Sequence, residues 1–190
     1  MKNKIFTFVG ASGVGKSTCM NYLRDNYNID CIELSARPFL KNNGLSYDIQ
    51  MTDSIQNNIQ FNNTTTFLKT IIKNERGELS NSVCYSRSLI DVLAYALTLN
   101  KGLDCWKQQI QLIEELKNEF IYLYIPIEFD MNDKSDLKRG TNEKVRNETN
   151  EHICYYLKSL NIPYHTISGS IERRKEILDR IMENYNINKK

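Results

Sequence analysis

The chain of 190 residues lacks several things that would have pointed it elsewhere. No apolar run approaches the length needed to cross a bilayer, which argues against a membrane partner. The N-terminus enters an apolar strand pattern at once, so no signal peptide is expected. No charge sign dominates: 25 Lys and Arg face 23 Asp and Glu, a net +2. That excludes a dedicated, strongly basic nucleic-acid binder and leaves room only for a local basic groove. The five cysteines, Cys19, Cys31, Cys84, Cys105 and Cys154, are scattered, with no C-x-x-C pair. They read as buried free thiols of a reducing cytoplasm. The two histidines, His152 and His165, have no cysteine or acidic neighbour at ligand spacing, which argues against a zinc site. Repeats and linkers are also missing. One domain over 1–190 is expected, and its oligomeric state is not legible.

The informative stretch is Gly10-Ala-Ser-Gly-Val-Gly-Lys-Ser17. It matches G-x-x-x-x-G-K-[ST], the phosphate-binding P-loop. Its context fits the motif. Ile5-Phe-Thr-Phe-Val9 before it reads as a buried strand, and Lys16 to Asn26 after it as a helix. Gly10, Gly13 and Gly15 allow positive φ and close approach of a ligand. The backbone from Gly10 through Ser12, Gly13, Val14, Gly15, Lys16, Ser17 and Thr18 is predicted to cradle a triphosphate at a helix N-terminus. Lys16 would reach the β- and γ-phosphates, and the Ser17 hydroxyl would hold Mg²⁺. ATP and Mg²⁺ are therefore the expected cofactors.

Further along, strands are predicted at Asp30–Ser35, Ser82–Tyr85, Phe120–Ile125 and Tyr164–Ile167. Helices are predicted from Asp53, as N-cap, to about Asn74, with a break at Thr64-Thr-Thr66, and from Ser86 to about Asn100. Others run over about Asp104–Asn118 with Trp106 inward, about Thr141–Leu160, and Ile171 to about Asn184, before a polar tail. Strands alternating with helices define an α/β doubly wound parallel sheet, whose ligands sit at the carboxyl ends of the strands.

Strand ends therefore supply the candidates. Glu33, Ser35 and Arg37 alternate at the end of the second strand, where they would position a substrate or simply form a rim ion pair. Ser86, Arg87 and Ser88 end the third, and arginine suits bidentate phosphate contact. Asp91 shares a helical stripe with Ser88 and Tyr95. It reads either as a first-turn carboxylate on the helix dipole or as an acid of the outer metal shell. Phe129 to Gly140, rich in Asp, Lys138 and Arg139, and followed by Arg146, reads as a lid over about 129–147 or as a solvated charge run.

The P-loop, the Ser86-Arg-Ser-Leu-Ile-Asp-Val-Leu-Ala-Tyr95 block and the Arg139–Arg146 segment, in that order, resemble the nucleoside and nucleotide kinase group of P-loop proteins. The likeness is to the small ATPase/kinase domains related to ribosylnicotinamide kinase, which are common in bacteriophages. It implies a P-loop NTPase fold with five parallel strands ordered 2-3-1-4-5 and a lid. It implies phosphoryl transfer from ATP to a nucleoside, nucleotide or related small metabolite. Lys16, Glu33, Arg87, Asp91, Arg139 and Arg146 would be catalytic, and Glu33, Arg37, Ser86 and Arg87 would meet the acceptor. Two other functions fit the same residues: a phage kinase acting on a modified base or 5′ end of DNA, and a regulatory nucleotide-binding module with little turnover. The chain departs from the group at Ser86, where relatives carry Asp or Glu before the arginine, and no strand ends in a clear Walker-B aspartate.

Overall fold

The computed structural model describes residues 2–34, 52–101, 106–129 and 143–190. Among these, five strands form one parallel sheet: β1 (Ile5–Val9), β2 (Ile29–Ile32), β3 (Ser82–Tyr85), β4 (Ile121–Tyr124) and β5 (Tyr164–Thr166). Their order is β2-β3-β1-β4-β5, as the resemblance implied. Thr7 lies beside Tyr85 on one flank and Tyr122 on the other, so β1 is the central strand. Six helices connect and cover the sheet: α1 (Lys16–Asn26), α2 (Asp53–Glu75), α3 (Leu89–Leu99), α4 (Trp106–Leu116), α5 (Glu143–Ser159) and α6 (Ile171–Asn184).

Alternation along β1 explains the two layers. Ile5 and Val9 point to one face, where Val83, Tyr85 and Tyr122 meet Phe67 of α2, Leu93 of α3, Ile113 of α4 and Ile153 of α5. Phe6 and Phe8 point to the other, against Met20 and Leu23 of α1 and Leu178 and Ile181 of α6. Both faces of β1 are dry, so it reads as a continuous apolar run.

Three expectations about the helices are corrected. The N-cap of α2 is Thr52, whose hydroxyl accepts from Ile55 N at 3.3 Å, and Asp53 is the first helical residue. No break occurs at Thr64–Thr66. Thr66 bonds back to the Asn62 carbonyl at 2.8 Å, and Phe67 anchors the next turn in the core. Tertiary burial overrides weak helix propensity here. Trp106 begins α4 at 37% exposure and does not face the core. The tail is pinned: Asn28 N donates to the Asn188 carbonyl and Lys190 N to Asn26, with Tyr27 bridged to Lys189. The thiols are also mixed. Cys19 and Cys84 are buried, while Cys31 and Cys154 are half-exposed.

Phe67 sets a measurable standard for this core. Its ring lies 4.6 Å from Tyr85 and 5.2 Å from Phe120, centroid to centroid. Phe67→Ala is expected to cost about 3–5 kcal/mol in denaturant unfolding, with the helical signal of the folded protein retained.

Candidate functional site

β1 ends at Val9, and the chain turns into the glycine loop under tight constraint. At Gly10, φ is 154° and an added Cβ would sit 2.6 Å from the Ile125 carbonyl oxygen at the exit of β4. Only glycine lets the two strand ends approach this closely. Gly15 caps α1 with φ 96° and offers no side-chain cap, so the first N–H groups of α1 are left to an anion.

A buried carboxylate fixes the start of the loop. Asp91, fully buried in α3, accepts from Gly10 N at 2.9 Å through one oxygen. Its other oxygen accepts from Ser88 N at 2.8 Å and Ser88 Oγ at 2.6 Å. Ser88 Oγ in turn accepts from Asp91 N, completing a capping box. Both oxygens are thus committed to the fold, and Asp91 acts on the site through what it holds.

Lys16 is buried beneath the loop, where its ammonium donates to the carbonyls of Gly10 and Ala11. Burial pushes its pKa down from 10.5 to about 7. The Asp91 charge opposes that shift, and the cations Arg87 and Arg146 add to it.

Beyond the loop, Ser12 to Thr18 open on a polar cavity of about 290 Å³ whose far wall is Glu33, Ser86 and Arg87. Ser17 and Thr18 are exposed to it. Ser86 Oγ accepts from Leu34 N at 2.8 Å, and Ser86 N donates to the Ile32 carbonyl at 3.1 Å. These bonds stop β2 at Ile32, short of the expected Ser35, and hold Glu33 at the rim. Arg87 lies with its guanidinium carbon 5.2 Å from the Tyr95 ring centre, and Thr7 Oγ1 anchors its carbonyl at 2.9 Å.

Arg146 is helical and only 2% exposed. It donates to the Ser12 carbonyl at 3.1 Å and the Phe129 carbonyl at 2.9 Å. The 143–147 end of the expected lid is therefore the fixed first turn of α5. Ser35, Arg37, Lys138 and Arg139 lie outside the described residues.

A second cavity, about 170 Å³ and mostly apolar, adjoins the loop between Gly13, Thr18, Tyr22, Phe129 and Ile171. Its floor is Arg174, which sequence reasoning missed. Arg174 donates to the Val14 carbonyl at 2.5 Å, the Gly169 carbonyl at 3.0 Å and Glu128 at 2.8 Å. The signal was available. Arg174, Leu178 and Ile181 share a helical stripe, which marks Arg174 as the inward member of the Glu172–Glu176 charge run.

This strand, loop and helix, with a buried lysine and a mostly apolar cavity alongside, define a P-loop nucleotide-binding class of protein. The chain belongs to the AAA domain family, whose family model matches residues 5–174. Solved structures of similar fold include a NadR protein in complex with NR (TM-score 0.71, 17% identity, covering 100% of this chain and 53% of that one). Others are deoxyadenosine kinase from M. mycoides (TM-score 0.68, 13% identity, 95% and 99% covered) and thymidylate kinase from Ehrlichia chaffeensis (TM-score 0.60, 16% identity, 97% and 100% covered). The chain spans about half the length of the NadR chains it matches. A comparison with curated proteins finds no match. Among the described residues no helix is long and apolar enough to cross a membrane.

The depressed Lys16 pKa gives a signed pH dependence. Between about 7 and 10.5 the fold binds fewer protons than the unfolded chain, so this lysine's contribution makes the free protein more stable as pH rises through that window. A bound triphosphate restores the charge, so binding takes up a proton above pH 7 and weakens as pH rises. Calorimetry at pH 8 in buffers of different ionisation enthalpy should show proton uptake on ATP binding. Lys16→Met should abolish that uptake.

Proposed function

We propose that the protein is an ATP-dependent kinase that phosphorylates a nucleoside, nucleotide or related small metabolite. The observation that carries this reading is the continuity of one polar cavity from the phosphate cradle at Ser12–Thr18 to Glu33 and Arg87. Donor and acceptor groups would share one chamber, as phosphoryl transfer requires. The apolar cavity at Tyr22, Phe129 and Ile171 suits the nucleotide base. Neighbours of the same fold include two named as nucleoside or nucleotide kinases, which supports the class of reaction.

Each residue then has a task. Loop N–H groups and Lys16 balance the charge that builds on the transferring phosphoryl group. Among the described residues no cluster of acids, histidines or cysteines is built to hold a metal by itself. Ser17, exposed in the cavity, fits Mg²⁺ as one oxygen ligand among phosphate oxygens and water. When bound, the ion would neutralise phosphate charge. Glu33, exposed at the rim, accepts the proton of an acceptor hydroxyl. The hydroxyl oxygen bonds to the γ-phosphorus, and the bond from phosphorus to the ADP oxygen breaks. Arg87 orients the acceptor. Asp91 and Arg146 position the loop through Gly10 and Ser12. Arg37 and Arg139, which lie outside the described residues, would add further cations for acceptor and phosphate.

ADP release should depend on acceptor when nucleosides, nucleotides and oligonucleotides are tested in turn. Turnover confined to oligonucleotides would select the DNA reading instead. Tight ATP binding with no acceptor-dependent release would select the regulatory one. With the best acceptor, Glu33→Gln should lower kcat by roughly 10²–10⁴-fold while ATP affinity is kept. Lys16→Ala should lower kcat by roughly 10²–10³-fold. Normal turnover by both variants would refute these roles.

A further inference from the structure

On the face of the sheet that α1 and α6 cover, three cysteines share one apolar layer: Cys19 of α1, Cys31 of β2 and Cys84 of β3. Cys31 and Cys84 are register partners on adjacent parallel strands, so their side chains leave the same face side by side. Adjacent strands lie about 4.8 Å apart, inside the roughly 4.4–6.8 Å between Cα atoms that a disulfide spans. Both thiols are free. Their surroundings differ. Cys84 is fully buried, whereas Cys31 is half-exposed and donates to the Met20 carbonyl of α1 at 3.6 Å. A hydrogen bond from the Cys84 thiol, helped by Arg24 and Lys190, holds Cys31 below its ordinary pKa against burial and Asp30. Burial, and then the bond to Cys31, push Cys84 well up. The pair thus joins one accessible sulfur with thiolate character to one buried sulfur beside it. Its place in the fold is also specific. Glu33 and Ser86, on the far wall of the polar cavity, stand two residues beyond Cys31 and Cys84 on the same two segments. β2 lies at the sheet edge, with β3 as its one sheet neighbour among the described residues.

We propose that Cys31 and Cys84 are a peroxide-responsive dithiol whose reversible disulfide braces β2 against β3 beneath the far wall of the polar cavity. Cys31 is the attacking sulfur, since oxidation follows thiolate character and exposure. Its thiolate bonds to one oxygen of hydrogen peroxide, the O–O bond breaks, and hydroxide leaves. The product is a sulfenic acid at Cys31. The Cys84 sulfur then bonds to the Cys31 sulfur and the S–O bond breaks. The departing hydroxide takes the Cys84 proton and leaves as water. Two electrons have passed from the two sulfurs to the peroxide, and a dithiol reductant returns them. Register pairing makes the second step intramolecular, so it outpaces a second peroxide. An edge strand can take the small shift that closure requires, and the bond then removes its freedom to part from β3. In a reducing compartment such a pair stays reduced until an oxidant arrives.

The chemistry stands apart from the phosphoryl-transfer reading, and its test needs no turnover. The full chain, reduced and then freed of reductant, is treated with hydrogen peroxide, blocked with iodoacetamide and mapped by mass spectrometry. The expected product is a monomer with Cys31 joined to Cys84, which dithiothreitol reverts. In Cys84→Ala, dimedone should capture the sulfenic acid at Cys31. Cys31→Ala, at a half-exposed position, should keep its fold and leave Cys84 unoxidised. In the reduced protein near neutral pH, iodoacetamide should alkylate Cys31 at least tenfold faster than Cys154, which is also half-exposed. In the oxidised protein, amide exchange over Ile29–Ile32 should slow at least tenfold. Oxidation that joins Cys31 to another cysteine or another chain would overturn the proposal, as would a sulfinic acid at Cys31 with Cys84 intact. Alkylation of Cys31 no faster than that of Cys154, or unchanged exchange in β2 after cross-linking, would also overturn it.

Discussion

The site depends on one buried carboxylate. Asp91 joins the N–H of Gly10, where the glycine loop begins, to the N-terminus of α3, where the Ser86-Arg-Ser block ends. A charged acceptor makes stronger hydrogen bonds than a neutral one, and here it is fully buried. The glycine loop and the Ser86-Arg-Ser block are thereby held at a fixed separation. The same negative charge supports the protonated form of Lys16 against burial and two nearby arginines. Its removal would release the loop and weaken the cation together.

Arginines brace the loop from two other directions. Arg146 reaches the Ser12 carbonyl from α5, and Arg174 reaches the Val14 carbonyl from α6. Loop carbonyls are thus held from behind. Preorganisation of this kind costs no rearrangement when charge develops on a bound phosphate. It also links the loop to both apolar layers, since α5 packs in one and α6 in the other.

The sheet and the phosphate loop were legible because their signals are local. β1 is an unbroken apolar segment, the loop spacing is specific, and β3 at Ser82–Tyr85 was read with its observed ends. What escaped were effects of contact between distant segments. The stop of β2 at Ile32 is set by Ser86, far along the chain. The continuity of α2 through its threonines rests on Phe67 in the core, and the pinned tail on Asn26 and Asn28. Within the site, Asp91 was recognised as important. Its bond to Gly10 follows from the packing of α3 against β1, which no spacing reveals. Arg174 was hidden among exposed charges, although its helical stripe marked it.

The departure at Ser86 has a structural meaning. Its hydroxyl secures Leu34 N, which leaves Glu33 as the acid lining the far wall of the polar cavity. The central claim is that this cavity passes a phosphoryl group from ATP to a small acceptor. ATP labelled at the γ-phosphate, incubated with the protein and a mixed pool of nucleosides and nucleotides, tests it most directly. The account expects label to appear in one acceptor as a new phosphate ester, and expects none with Lys16→Ala. Label that stays on ATP or reaches only free phosphate, with the nucleotide tightly bound, would contradict it.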